Sequence, residues 1–376
     1  MIRVGVIGTG FGRVAHLPAL RTIPGVRIAG VASGRPEHAR QAAAAFAIPR
    51  AFETWEALID APEIDAVTIA TPTATHATIA LRALRARKAV LCEKPLALTL
   101  DEAARMREVA RGARVVNAVS FVFREIPALR LAQEMVAAGM LGQLRHAHVT
   151  WLTSGGADPR RAWTWRSARS QGGGVLYQRG VHVFDYLEWL AGPLRRVMAR
   201  LTTRVALRPD AHGRPRRVTA EDCTDLLLEF RDGTPGALVL SSVAPQGQGH
   251  WITLHGDAQS LRLGSDDPRD YEKGFGLWLG GRGGRTWRRV TIPQRLQFER
   301  TFAASGVAPF RAVAQRFVLA LQRRRPQDVP SFADGYRAQV LLDAALRSDR
   351  VRGWVDVSAS PPQPRRLALS QAAASA

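Results

Sequence analysis

Two cysteines in 376 residues, Cys92 and Cys223, are too few for a disulfide framework or a cysteine-rich metal centre, so no metal is expected and a reducing cytoplasm is the expected compartment. No stretch approaches the roughly 20 apolar residues of a membrane-spanning helix, and no membrane partner is expected. The opening MIRVGVIGTG has neither the long apolar core nor the small-residue cleavage site of a signal peptide. There is no internal repeat. Lysine is nearly absent: of 53 basic side chains only Lys88, Lys94 and Lys273 are lysine. Acidic residues number 32, leaving a formal net charge of +21 that could address a polyanion. The arginines are scattered, however, and runs such as 214–217 and 323–325 are short. Aromatic residues do not alternate with them as a base-stacking platform requires. The charge therefore reads as a solvated surface, and nucleic acid is not an expected partner.

What is present alternates. Strand-like IRVGVI (2–7) runs into a glycine turn and a helical segment through Leu20 and Ile23. Strand 26–32, an alanine-rich helix at 37–46, a helix near 55–59 and strand 66–70 follow, and a helix starts near Thr75. Thr99 and Glu102 form a capping box for a helix through Val109, and 115–119 is one more strand. This order predicts a doubly wound parallel sheet over residues 1–122. Beyond it Pro127 opens a helix that stops at Gly139, and alternating stretches at 146–152, 225–230, 236–240 and 251–255 read as antiparallel strands. A glycine-rich region, 264–284, reads as loop or edge hairpin, with helices at 310–322 and 334–348. The expected fold class is α/β: an N-terminal Rossmann sheet, then an α+β domain over 123–356 with a large, mostly antiparallel open sheet. Residues 357–376, with PPQP and AAASA, read as a disordered tail.

The first turn, Gly8-Thr9-Gly10-Phe11-Gly12-Arg13, has the strand, glycine turn and helix of a dinucleotide site. A third glycine would usually stand at position 13. Gly12 can relieve the same crowding, and Arg13 can add charge near phosphate. Strand 26–32 ends in Ser33-Gly34-Arg35, where an NAD-preferring fold would place a carboxylate on the ribose. A hydroxyl and a guanidinium suit a 2′-phosphate better, so NADP is expected ahead of NAD. Thr71, Pro72 and His76, at the end of strand 66–70, are placed in the cofactor crevice.

The stretch AVLCEKPL (89–96) is the most telling. Its apolar run reads as a strand covered on both faces, and its charges, Glu93 and Lys94, come only where the strand stops. In a chain that otherwise writes positive charge as arginine, Lys94 is the cation that can give up its proton. Pro95 confines it to an extended backbone.

Taken together with Thr71-Pro72-Thr73, Gly172-Gly173-Gly174, Gly180, His182, Asp185, Trp189-Leu190 and Gly192, these motifs make the chain resemble the glucose-fructose oxidoreductase, inositol dehydrogenase and rhizopine-catabolism (Gfo/Idh/MocA) family of sugar oxidoreductases. The resemblance extends to about Val357. It implies hydride transfer between NAD(P) and a secondary alcohol or ketone of a sugar, cyclitol or sugar derivative. Lys94 and His182 are then catalytic across one cleft, and Glu93 shapes the cofactor pocket. A cis bond is implied before Pro95, Arg124 and Trp165 line the cleft, and a homodimer or homotetramer assembles through the second sheet. One position departs from the pattern: Gln178 stands where the family usually has an aspartate, four residues before the histidine, and an amide cannot accept a proton. Two alternatives stay open here, an NAD-dependent glycosidase on the same fold and a non-catalytic nucleotide-binding regulator.

Overall fold

The computed structural model describes residues 1–267, 274–281, 283–284, 286–323 and 329–357. Lys273, residues 324–325 of the second basic run and the expected tail from 358 onward lie outside the described residues.

Six parallel strands form the first sheet: β1 (Ile2–Ile7), β2 (Val26–Ala32), β3 (Ala51–Phe52), β4 (Ala66–Ile69), β5 (Ala89–Cys92) and β6 (Asn117–Val119), in the order β3-β2-β1-β4-β5-β6. The order reverses direction between β1 and β4, which opens the crevice at their carboxyl ends. The strands are apolar throughout because both faces are covered. Along β5, Val90 and Cys92 join one core cluster while Ala89 and Leu91 join the other. Helices α3 (Trp55–Asp60), α4 (His76–Arg85) and α5 (Leu100–Ala113) serve the first cluster. Helices α1 (Leu17–Leu20) and α2 (Pro36–Phe46) serve the second.

The linear division of the chain misses how that second face is finished. After α6 (Pro127–Ala137), α7 (Val181–Ala191) and most of the second domain, α8 (Val307–Arg323) returns to lay Phe310, Val313 and Phe317 against Val4, Val6 and Leu91 of the first sheet. An amphipathic stretch reveals that a helix buries one side, not which sheet receives it. Helix α9 (Phe332–Val351) then packs on α5 and β6 as well as on α7 and the second sheet, tying the two halves together.

The second sheet contains β7 (Leu144–Leu152), β8 (Leu194–Thr202), β11 (Cys223–Phe230), β12 (Pro235–Ser241), β13 (Gly249–Gly256), β14 (Gln259–Ser265), β15 (Gly276–Gly281), β16 (Arg288–Arg289) and β17 (Val355–Asp356). Its order is β16-β15-β14-β13-β7-β12-β11-β8-β17, and a separate ribbon pairs β9 (Leu207–Pro209) with β10 (Pro215–Arg217). The sheet is mostly antiparallel. The exception corrects the sequence reading of 146–152 and 236–240, since β7 and β12 run parallel. Period-2 alternation reports which face is buried and is blind to strand direction. In β7 the inward residues are Ala147, Val149 and Trp151. The region read as loop or edge hairpin contributes β14 and β15 near one edge. Among the described residues no helix is long and apolar enough to cross a membrane.

Phe310 is fully buried in a core built from residues three hundred positions away, so Phe310→Ala should cost about 3–5 kcal/mol. A urea titration of the variant checks this, and an unchanged midpoint would show that α8 is dispensable to the first domain.

Candidate functional site

Beyond the carboxyl ends of β1, β4 and β5 lies a cavity of about 960 Å³, and both domains line it. From the first come Phe11, Thr71, Glu93 and Lys94; from the second, Trp151, Trp165, Arg166, Gln178, Arg179 and His182.

Its first-domain end is the glycine turn. Gly8 has φ +100°, and a Cβ there would stand 2.5 Å from the Ala70 carbonyl oxygen, so only glycine fits. Gly10 faces open space. A Cβ at Gly12 would come within 3.4 Å of Val6 and 3.5 Å of Ala70, and Gly12 opens a π-helical turn, Gly12–His16, that leads into α1. Arg13 is exposed on that turn, and Phe11 is 43% exposed beside it. Amides left unpaired at such a start are suited to phosphate. At the end of β2, the Ser33 hydroxyl lies 3.0 Å from that of Thr9, and Arg35 is exposed. The Thr71 hydroxyl accepts from Thr75 at 2.8 Å, next to exposed Pro72.

His76 is not brought to this crevice. It is buried, with Nδ1 at 2.8 Å from the Pro95 carbonyl and Nε2 at 2.9 Å from that of Thr71. It braces the loop after β5 against the loop after β4. Its place in a first helical turn looked the same from the sequence whether the ring turned to ligand or to backbone.

The Lys94–Pro95 bond is cis. Lys94 Nζ donates to the Gln178 carbonyl at 3.2 Å, reaching across to the second domain. Burial, and then the nearby Arg166 and Arg179 guanidiniums, push its proton affinity down, with Glu93 opposing. The Glu93 carboxylate accepts from His16 Nε2 at 3.2 Å and from the Lys94 amide at 3.3 Å. Burial pushes Glu93 up, but His16, Lys94 and Ser120 together hold it below the usual carboxylate range. His16 was not singled out by sequence reasoning. It stacks on Phe310 at 3.9 Å, and Phe11 meets its edge at 5.8 Å. Its position four residues after Gly12 was a signal, but its stacking partner was 294 positions away.

His182 sits in the first turn of α7, behind a second π-helical turn, Leu176–Gly180, that carries Gln178 and Arg179 to the cavity. Gly174, at φ +102°, lies against the Glu221 carboxylate, which takes the Leu176 amide at 3.0 Å and so anchors this turn. Burial, with Lys94 and His250 nearby, holds His182 well below the usual histidine value, so its ring is neutral. Among the described residues its Nδ1 is buried without a partner. Beneath it lies an aromatic floor that the sequence did not disclose: Phe123 at 4.8 Å, and His250 stacked on Trp151 at 4.1 Å and hydrogen-bonded to Tyr186 at 2.8 Å. Gln178 Nε2 donates to the Gly172 carbonyl at 2.9 Å.

Arg124, expected on the cleft wall, is instead used within the fold. It forks onto Asp185 at 2.9 and 2.5 Å and reaches Asp334 at 3.1 Å, linking the segment before α6 to α7 and α9. Among the described residues no group of histidine, cysteine and acidic side chains could hold a metal ion.

A parallel sheet with a glycine turn, and proton-handling groups gathered beyond its strand ends, defines the class as a nicotinamide-dependent oxidoreductase. More narrowly, the chain belongs to the Gfo/Idh/MocA oxidoreductase family: residues 2–121 match its NAD-binding Rossmann fold and residues 133–357 its C-terminal alpha/beta domain. It is 36% identical to an uncharacterized oxidoreductase of Synechocystis sp., covering 95% of this chain and 96% of that one. It is 30% identical to levoglucosan dehydrogenase of Pseudarthrobacter phenanthrenivorans, over 95% of this chain and 98% of that one. A solved levoglucosan dehydrogenase in complex with NADH and L-sorbose superposes with a TM-score of 0.85 at 29% identity, over 95% of this chain and 99% of the other.

Arg124→Met should leave Asp185, whose side chain is 1% exposed, without its counter-ion and cost about 3–5 kcal/mol. Thermal unfolding at neutral pH checks this. A variant as stable as the parent would mean that the pair contributes nothing.

Proposed function

We propose that the protein transfers a hydride between NADP and a secondary alcohol or ketone of a sugar, cyclitol or sugar derivative. The observation that carries this reading is the Lys94 amine, held at 3.2 Å from the Gln178 carbonyl in the same cavity as the neutral ring of His182. A bound nicotinamide supplies the hydride chemistry. The residues present fit such a group: Gly8 makes the tight turn against Ala70, Gly10 faces open space, Gly12 starts the helical turn, and Thr71 and Glu93 line the cavity between the turn and the amine.

Lys94 takes the proton of the substrate hydroxyl during oxidation and returns it during reduction. An amine with lowered proton affinity is neutral in a larger fraction near pH 7, which is the form a base needs. His182, also neutral, offers a second nitrogen to the same hydroxyl. Gln178 cannot relay a proton and acts through its backbone carbonyl, which aims the amine. Glu93 is committed to His16, so it shapes the pocket and stays out of proton transfer. Trp165 on the cavity wall offers aromatic surface to the C–H face of a sugar ring. Ser33 and Arg35 bind the ribose 2′-phosphate, which favours NADP over NAD. A sugar substrate accords with the relatives, among them levoglucosan dehydrogenase. The cofactor domain is residues 1–122 and the substrate domain 123–356, and the protein works in the cytoplasm as a homodimer or homotetramer formed through the second sheet.

A screen of sugars and polyols with NADP and NAD, followed at the reduced-nicotinamide absorbance, tests the reading. Lys94→Met should lose about 10²–10⁴-fold in kcat with cofactor affinity nearly intact. In the parent, kcat/KM for oxidation should rise with pH on a limb below the ordinary lysine value of about 10.4, because deprotonation creates the base. Unchanged turnover in the variant would remove Lys94 from the chemistry. Arg35→Asp should move the NADP-to-NAD preference by about tenfold or more toward NAD. An unaltered ratio of the two kcat/KM values would assign Arg35 to the solvated surface.

A further inference from the structure

We propose that Glu221 is a positioning residue for proton transfer: from outside the cavity its carboxylate caps the turn that aims the Gln178 carbonyl at the Lys94 amine. This rests on the oxidoreductase reading above and gives a part in it to a side chain that does not line the cavity.

Two helical segments follow one another on the second-domain wall, the π-helical turn Leu176–Gly180 and α7, and neither has a side-chain cap of its own. Val175 and Gly180 stand at their cap positions and offer no side-chain acceptor. The first amides of such a segment need acceptors from elsewhere. Glu221 supplies two: its backbone carbonyl takes the Val175 amide at 3.0 Å, and its carboxylate takes the Leu176 amide at 3.0 Å. From there the path to the amine is short. The Gln178 amide donates to the Gly174 carbonyl at 3.0 Å, its side chain donates to the Gly172 carbonyl at 2.9 Å, and its own carbonyl receives Lys94 Nζ at 3.2 Å.

Glu221 is itself firmly held. It is buried, the Thr219 and Ala220 amides before it donate to the Ser167 carbonyl at 2.9 and 3.2 Å, and the Asp222 amide after it donates to the Thr202 carbonyl at 3.0 Å. Its charge is poorly answered. Among the described residues Oε2 makes no hydrogen bond, and its ion-pair partner is Arg169 at 3.6 Å, a side chain 45% exposed. Burial pushes the carboxyl up to about 6, against the pull of the Leu176 amide and Arg169, so the carboxylate persists near neutral pH at a cost to the fold. What it supplies in return is a charge-assisted hydrogen bond at the head of the turn, where a small displacement would carry the Gln178 carbonyl away from the amine.

The scarcity of lysine gives a direct readout. In protein made with isotope-labelled lysine only Lys88, Lys94 and Lys273 give side-chain signals, and Lys94→Met assigns the one that matters. In Glu221→Ala the turn loses its cap and the ammonium form of Lys94 loses its carbonyl acceptor, so the Lys94 titration midpoint should move down by about one pH unit. Amide hydrogen exchange should quicken over 175–180, and kcat for oxidation should fall about tenfold or more with the Kd for NADP unchanged. Glu221→Gln, whose amide oxygen still accepts from Leu176, should restore most of these losses. If the alanine variant does not fold, Glu221→Asp, whose carboxylate is drawn back by one methylene, is read in the same way. A Lys94 midpoint that stays or rises in a folded variant would overturn the inference and leave the oxidoreductase reading standing, because a merely structural role predicts lost activity without a change at the amine. Absence of turnover in the parent with every sugar and polyol would count against that reading, and the Lys94 titration would still decide the role of Glu221.

Discussion

One half-buried amine must be able to part with its proton, and much of the molecule is arranged around that requirement. Burial raises the free energy of the ammonium form, and the guanidiniums of Arg166 and Arg179 raise it further. Glu93 works in the other direction, and its pull is shared with His16. Lys94 is thus balanced between one carboxylate, two cations and a single backbone carbonyl, half-buried on the cavity wall. Small changes in any of these neighbours would reset its chemistry, whereas an exposed lysine would be insensitive to them.

The balance depends on elements far apart in the chain. The loop after β5 delivers Lys94, but its geometry is braced by His76, which spans the carbonyls of Thr71 and Pro95. Glu93 is held by His16, and His16 is packed by Phe310 from α8. The opposite wall is carried by α7, which Arg124 clamps through Asp185 to the segment before α6 and to α9. Cofactor turn, amine and imidazole are therefore mechanically coupled through a small set of buried polar contacts. Such contacts add little net stability when complete and cost a great deal when one partner is removed, which makes them better fitted to fixing an arrangement than to strengthening a fold.

The distribution of positive charge has two meanings in this protein. Most of the arginines lie on the surface, many in ion pairs such as Arg40–Glu53 and Arg82–Asp60, whose partners are half exposed and contribute little. A few are inside: Arg337 forks onto Glu188 beneath the second sheet, and Arg124 joins three elements. Formal net charge does not separate these groups, and a strongly basic composition here coexists with a cavity whose charges are specifically placed.

The doubly wound domain, the glycine turn and the lysine at the end of β5 were legible in the sequence because each rests on local rules, whereas the histidine of α7 was reached only through the family resemblance. A strand buried on both faces must be apolar along its length, a tight turn near a carbonyl must be glycine, and a charge placed directly after such a strand must face the crevice. Tertiary structure alone decided the rest. It turned His76 and Arg124 inward to brace the fold, paired β7 with β12 in parallel, and brought α8 back to the first sheet. It also set His16 on Phe310 and His250 on Trp151. The physical reason is common to all of them: whether a polar side chain serves a ligand or another part of the chain depends on what packs against it. That neighbour is chosen by contacts between residues hundreds of positions apart, which no local pattern records.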